Sequence, residues 1–231
     1  MELTSLLAGF GKSLLLVLAT ILPIMNPPAM APTFLAMTEG ASTRMRTALA
    51  WRIGRNVALL LIGAMLVGTY VLDFFDISLP IVRVAGGMIV AANAWRLLSA
   101  STTTSDSRSE LADKFTAEYV RATAFYPLTF PITCGPGSIA AAITVGATFH
   151  HPRLALSLAQ ASGGMVAAVA IGLAVYFTYR FARRLLQPLG ETGIIVFLRM
   201  SAFILLCVGV QIVWDGASEL LTGVLQKAAA R

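Results

Sequence analysis

Residues 23–28 have the sequence PIMNPP, and residues 131–136 have the sequence PITCGP. The two hexapeptides agree at three of six positions, and each interrupts a long apolar stretch. Because proline removes a backbone donor and clashes with the preceding turn, both stretches are predicted to contain a broken helix. Backbone groups freed in a bilayer must be buried in protein or line a wet cavity. The hexapeptides therefore mark a candidate site in each half of the chain.

The composition around these breaks is that of an integral membrane protein. Hydrophobic residues make up 57% of the 231 residues, charged residues make up 12%, and the mean hydropathy is +0.79. Soluble domains carry about 25% charged residues, so this chain has too few to coat a water-exposed surface. The net charge is +6, but the basic residues flank apolar runs instead of forming one solvated face. This distribution argues against nucleic-acid binding.

Six apolar stretches are long enough to cross a bilayer, which takes about 20 helical residues. They cover residues 6–37, 48–72, 79–98, 122–149, 154–179 and 193–214, of which the first and fourth are broken. A polar segment at 101–118 separates two halves, about 1–100 and 119–231. We therefore predict an all-α polytopic membrane protein, with residues 1–231 forming a single transmembrane domain. The first stretch has no clean cleavage site after it, so we expect it to be retained as a span.

The distribution of Lys and Arg predicts the orientation of these spans. The loops after the first, third and fifth spans, with the adjoining helix ends, hold 11 of the 17 Lys and Arg residues. The other side holds four, and two lie inside spans. Since short cytoplasmic loops are enriched in basic residues, we expect the three basic loops to be cytoplasmic and both termini to be outside.

A second marker recurs in the same order as the hexapeptides. Arg83 lies near the start of the third span and Arg199 near the start of the sixth. Because each half holds three spans, the second copy would cross the membrane in the opposite sense, giving two inverted repeats. Two roles are open for these arginines. They either reach the interface or pair with Asp76 and Glu191 nearby, or they orient substrate or lock a gate.

Paired breaks in two halves point to a substrate site at the membrane midplane. Helices that restart near Pro28 and Pro136 would present unpaired N–H groups, which suit a carboxylate. The candidate binding residues are Asn26, Pro27, Pro28, Thr129, Thr133, Gly135, Pro136, Gly137 and Ser138. No lysine or acidic residue lies near either break, which favours a small net-neutral ligand such as a zwitterion. The alternative is that both breaks are kinks that serve packing alone.

Other chemistry is sparse in the sequence. No Asp or Glu lies at the centre of a span, so a proton relay has no evident carrier. No metal-ligand set, cofactor motif or nucleophile–base pair is visible, and we expect neither a cofactor nor an enzyme. Gly163, Gly164 and Gly172 are expected to allow close helix packing.

The motifs in both halves resemble those of the MarC family, which includes the SnatA-type transporters. The resemblance rests on residues 22–28 with 32–35, 127–131 with 135–139, 83–91, 199–200, 209–211 and 216. It covers nearly the whole chain, and it implies a bacterial or archaeal inner-membrane protein with six spans. Some members are described as transporters of small neutral amino acids such as glycine and alanine, with proton coupling suggested.

These observations and the resemblance together predict a secondary transporter of small neutral amino acids that works by alternating access across the inner membrane. Its partners would be the amino acid, the lipid bilayer and, if transport is coupled, protons. Two alternatives stay open. One is a passive channel for a small solute, and the other is a non-transporting membrane protein with an assembly or regulatory role.

Overall fold

The computed structural model describes residues 2–99 and 123–229, which form helices joined by short turns. The helices are α1 (Glu2–Met25), α2 (Pro27–Met37), α3 (Thr43–Phe74), α4 (Leu79–Ser99), α5 (Ala124–Thr133), α6 (Pro136–Ala147), α7 (Leu154–Arg180), α8 (Ala182–Leu186) and α9 (Gly190–Ala229). Helix α5 has wide, π-type turns, and a single 3₁₀ turn (Gln187–Leu189) joins α8 to α9. The predicted polar loop at 101–118 lies outside the described residues. The prediction of an all-α polytopic membrane protein is confirmed.

Five of the described helices are long and apolar enough to cross a membrane, namely α1, α3, α4, α7 and α9. Helices α5 and α6 meet the same criteria as a pair that bends by 72° at its break, which gives up to six spans. The first predicted span differs from the structure. Helix α1 is long enough to cross by itself, whereas α2 has 11 residues. At about 1.5 Å per residue, α2 is too short to cross a hydrocarbon core of about 30 Å.

The last helix is much longer than predicted. It was expected over 193–214, but α9 contains 40 residues and continues to Ala229. Its length of about 60 Å is roughly twice the thickness of the hydrocarbon core. The sequence after Trp214 is rich in Ala and Leu, which favour helix once the apolar pattern has ended. The loop predicted before this span is also partly helical, because Arg183 and Arg184 lie in α8.

Two glycines bring α3 and α7 into backbone contact at the centre of the fold. A Cβ atom built on Gly172 would lie 2.5 Å from the carbonyl oxygen of Gly54, and a Cβ on Gly54 would overlap the carbonyl oxygen of Gly172. Around this crossing, Ile53 and Ile171 are fully buried. A Cβ on Gly163 would likewise overlap the backbone of α1. The predicted packing role of the α7 glycines is confirmed.

Helices α4 and α9 form an antiparallel pair that also depends on small residues. A Cβ on Gly87 would lie 2.8 Å from the carbonyl oxygen of Gly209, and a Cβ on Gly216 would lie 2.7 Å from that of Pro80. Arg83 and Glu219 form an ion pair across the same interface, near the start of α4. The suggested pairing of Arg83 with Asp76 is therefore wrong, because the long α9 brings an acidic residue to Arg83 from beyond the predicted span.

The predicted pairing of Arg199 with Glu191 cannot be compared with the structure in the way that the pairing of Arg83 can. Arg199 lies in the first half of α9 and its side chain is exposed. The side chain of Glu191 lies outside what the structure describes, so the pairing of these two residues stays a prediction.

We predict that Gly54→Ala lowers the free energy of unfolding by about 1–3 kcal/mol, because the added methyl group overpacks the α3–α7 crossing. Gly63→Ala is the matched control on the same helix, since a Cβ at Gly63 has no neighbour within 4 Å. This control should be neutral or stabilising, because alanine is the better helix former. Thermal unfolding of both variants in one detergent measures the difference. Equal stability of the two variants would contradict the close crossing.

Candidate functional site

The first break is a single residue between α1 and α2. Asn26 has φ 44° and ψ 63°, in the left-handed region that asparagine tolerates better than most residues. Its N–H donates to the carbonyl oxygen of Leu22, and its carbonyl oxygen accepts from the N–H of Ala29. Pro27 then occupies the first position of α2, where a missing N–H costs nothing. The main chain at this break therefore has local partners.

The second break is preceded by two copies of one tetrapeptide, YPLT at 126–129 and FPIT at 130–133. In both copies the aromatic residue is extended, with φ −118° and ψ near 127° at Tyr126 and Phe130. The hydroxyl groups of Thr129 and Thr133 each donate to the carbonyl oxygen five residues earlier, at 2.6 Å. Each hydroxyl satisfies a carbonyl group beside an extended residue, where the regular helical hydrogen-bond pattern is interrupted. The threonines thus stabilise an irregular backbone inside the protein.

Helix α6 restarts against the middle of α4. Gly135 precedes the helix, Pro136 is its first residue, and no side chain caps this end. A Cβ on Gly137 would overlap the side chain of Val90, and a Cβ on Gly86 would lie 2.5 Å from that of Ala140. Val90 and Gly86 lie near the middle of α4, so the break between α5 and α6 is at half the depth of that helix. Glycine at 137 is required for this close approach.

A cavity of about 450 Å³ lies beside this break. Its lining residues are Ile24, Met25, Met30, Thr33, Val90, Asn93, Arg96, Leu97, Pro131, Ile132, Thr133, Gly135, Pro136, Gly137, Ser138 and Leu205. The α4 residues among them run from Val90 to the last helical turn, which contains Arg96 and Leu97. The cavity therefore extends from the middle of the fold toward the C-terminal end of α4.

Five of the predicted binding residues line this cavity and four do not. Thr133, Gly135, Pro136, Gly137 and Ser138 are brought together there. The remaining predicted residues are not among the lining residues, namely Asn26, Pro27, Pro28 and Thr129. Helix α2 reaches the cavity instead through residues one or two turns after its start. Arg83 and Arg199, the two arginines predicted to lie inside spans, are also not among the lining residues.

Eleven of the sixteen lining residues were missed in the sequence, and the polar ones among them are Thr33, Asn93 and Arg96. Arg96 was counted with the basic residues that set the orientation, and Asn93 lies just after the recognised third-span motif. The sequence signal for this cavity wall was the spacing of Val90, Asn93 and Leu97, which are three and four residues apart and therefore share one face of α4. Arg96 corrects the expectation of an uncharged site, since it places a cation on the cavity wall while none of the described acidic residues lines it.

A buried polar contact connects the α5–α6 break to α2. The hydroxyl oxygens of Thr133 and Tyr179 are 2.8 Å apart. Because the Thr133 hydroxyl donates to Leu128, the Tyr179 hydroxyl is the donor in this contact. The ring of Tyr179 stacks on Phe34 of α2, with centroids 4.5 Å apart and planes 10° from parallel. Tyr179 is 2% exposed, so it joins α2, α5 and α7 within the core.

These features define a multi-pass α-helical membrane protein with a cavity built on a broken helix. The family model described as "MarC family integral membrane protein" matches residues 11–221, and the chain belongs to this family. The chain is 29% identical over 220 residues to the UPF0056 inner membrane protein MarC of Salmonella typhimurium, a match that covers 91% of this chain and 96% of the relative. The corresponding protein of Escherichia coli O1:K1 is 28% identical over 216 residues, with the same coverage.

No solved structure matches the chain at a significant level. The names of the relatives and the apolar helices together identify a multi-pass protein of the inner membrane.

We predict that Thr133→Val destabilises the fold more than Tyr179→Phe. The first substitution leaves both the Leu128 carbonyl and the Tyr179 hydroxyl without a partner, whereas the second removes one hydrogen bond, worth about 1 kcal/mol. In the double variant, the cost of Thr133→Val should fall, because the Tyr179 hydroxyl is already gone. Thermal unfolding of the four proteins measures the coupling. Strict additivity of the two effects would show that the hydroxyls do not interact.

Proposed function

We propose that this protein is a secondary transporter of small neutral amino acids, glycine- or alanine-like, that works by alternating access across the inner membrane. The observation that carries the proposal is the cavity at the α5–α6 break. It combines a helix start without a side-chain cap, polar side chains and apolar walls, which is typical of substrate sites on discontinuous helices.

The packing on either side of the break favours an alternating-access mechanism and argues against a continuous channel. Toward the C-terminal end of α4 the cavity is open, as far as Arg96 and Leu97. Toward the N-terminal end of α4, Gly86 packs against Ala140 and Gly87 packs against the backbone of α9. One half of α4 therefore lines a cavity while the other half is in tight helix contact.

The pattern of helix contacts supports the predicted inverted repeats. Helix α6 packs against α3 and α4, and helix α2 packs against α7 and α9. In the repeat, α2 corresponds to α6, α3 to α7 and α4 to α9. The contacts of α6 with α3 and α4 therefore correspond to the contacts of α2 with α7 and α9. In the proposed cycle, an opposite state would open a cavity along α2 and α9 while α6 closes onto α4. With the predicted orientation, the C-terminal end of α4 is cytoplasmic, and the described state faces the cytoplasm.

We predict saturable uptake of radiolabelled alanine or glycine into proteoliposomes that contain the purified protein. Gly137→Ala should reduce the initial rate at least tenfold, because its methyl group would overlap Val90 and displace the start of α6. Val90→Ala in the same chain should restore part of the rate, since it removes the overlapping atom. Gly63→Ala serves as the neutral control. An imposed pH gradient tests proton coupling, for which the described residues that line the cavity offer no carboxylate as a carrier.

The alternatives give different results in this assay. Uptake that does not saturate and cannot be driven against a gradient would indicate a passive channel. No uptake of either amino acid by folded protein would refute the transport proposal and favour an assembly or regulatory role.

We also predict one-sided access to the cavity. In a chain whose two cysteines are replaced (Cys134→Ser and Cys207→Ser), Asn93→Cys should react with a membrane-impermeant maleimide in inside-out vesicles at least tenfold faster than in right-side-out vesicles. Ser78→Cys, in the exposed turn before α4, is the matched control and should react in the opposite preparation. Equal labelling of Asn93→Cys from both sides would contradict alternating access. Reversed labelling of both positions would overturn the predicted orientation.

A further inference from the structure

We infer that the fixed recognition element of the cavity is a site for one carboxylate group, formed by Arg96, the Ser138 hydroxyl and the first turn of α6. This inference rests on the proposed function and specifies which part of the substrate the protein recognises. It assigns the ammonium group of an amino acid a secondary role.

Arg96 supplies the charge. It is the one ionisable residue among those that line the cavity, and no acidic side chain faces it there. No ion pair or hydrogen bond of its guanidinium is found in the described part of the chain. A guanidinium group offers a planar fork of donors that matches the two oxygens of a carboxylate. A cation on the cavity wall that has no partner among the described residues favours an anionic group in the ligand.

Ser138 supplies an independent observation that points to a ligand. The residue is 4% exposed and lines the cavity, yet no hydrogen bond of its hydroxyl is found within residues 2–99 and 123–229. The hydroxyl is also absent from the described side-chain atoms that are both fully enclosed and unpartnered, so it faces the open space of the cavity. A ligand oxygen in the cavity could therefore accept a hydrogen bond from this hydroxyl, which has no acceptor among the described residues.

The start of α6 adds one backbone donor beside this hydroxyl. Pro136 has no N–H and the N–H of Ser138 donates to the carbonyl oxygen of Gly135, so the N–H that remains for a ligand in this turn is that of Gly137. No side chain caps this end, which leaves the positive end of the helix dipole at the cavity. A carboxylate placed here would accept from the backbone, from Ser138 and from Arg96.

The remaining walls limit what can accompany the carboxylate. Ile24, Met25, Val90, Ile132 and Leu205 make most of the surface apolar, which suits a short aliphatic substituent. One arginine balances one negative charge, so dianions such as phosphate are disfavoured. The Asn93 amide oxygen is available to an ammonium group, and no carboxylate is found among the described residues that line the cavity. A zwitterion and a simple monocarboxylate therefore share the same recognition chemistry.

The test measures ligand binding by the intact protein in detergent, independently of transport. Thermal stabilisation is titrated with L-alanine, propionate, alaninamide and inorganic phosphate. L-alanine and propionate carry the carboxylate and should stabilise the protein in a saturable manner. Alaninamide lacks the carboxylate, and it should bind at least tenfold more weakly than L-alanine, as should phosphate.

Two variants locate the site. Arg96→Gln and Ser138→Ala should weaken the binding of L-alanine and of propionate, by about 10- to 100-fold for the arginine, because a hydrogen bond to a charged group is lost. The matched controls are Arg55→Gln, an exposed arginine of α3, and Ser13→Ala, a buried serine of α1; neither residue lines the cavity. Both controls should bind like the unmodified protein.

The outcomes separate this inference from the proposed function. Binding of propionate and L-alanine that depends on Arg96, without amino acid uptake in liposomes, would support the carboxylate site and refute the transport proposal. Equal binding of alaninamide and L-alanine, with no effect of Arg96→Gln, would overturn the carboxylate site even if uptake occurs. Absence of stabilisation by any carboxylate, in protein with an intact helical circular dichroism spectrum, would also overturn it.

Discussion

The structure depends on the need to satisfy main-chain polar groups where prolines prevent a regular helix inside a low-dielectric environment. At Asn26 the backbone meets this need locally, through one left-handed residue and bonds to neighbouring carbonyl and N–H groups. Within α5 the irregular stretch is longer, and the hydroxyls of Thr129 and Thr133 satisfy carbonyl groups beside the extended residues. The two breaks therefore arise from similar sequences, yet they meet the cavity differently. Residues of the second break line it directly, whereas the first break reaches it through Ile24 and Met25, which precede Asn26.

The sequence was sufficient to predict those features that depend on residues close together along the chain. The prolines at 27, 28 and 136 located both breaks, and the apolar runs identified the spans, because bilayer thickness fixes the length of a crossing helix. The packing role of Gly172 was also predictable, since a small residue in an apolar helix commonly marks a close contact. Five residues from 133 to 138 were correctly grouped around one cavity for the same reason, as they follow one another along the chain.

The errors concern relations between distant segments. Nothing near Arg83 in the sequence indicates Glu219, because their pairing requires the register of α4 against α9 and the extension of α9 beyond the apolar run. Arg96 was assigned to the membrane surface, since a basic residue at the end of a span usually lies there. Its position on the cavity wall follows from the face of α4 that α6 covers. Asn26 and Thr129 were predicted to bind a ligand, but neither lines the cavity and the Thr129 hydroxyl donates to Ala124, so their binding role stays a prediction.

The glycine crossing of α3 and α7 has a mechanical consequence. Helices that meet through interlocked side chains must change rotamers before they can shift, because packed surfaces are bistable and not smoothly deformable. At Gly54 and Gly172 the closest contact is between main chains. A rotation of the two helices about this crossing would therefore leave their separation unchanged. Because these helices belong to opposite halves of the chain, the same rotation would turn one half against the other.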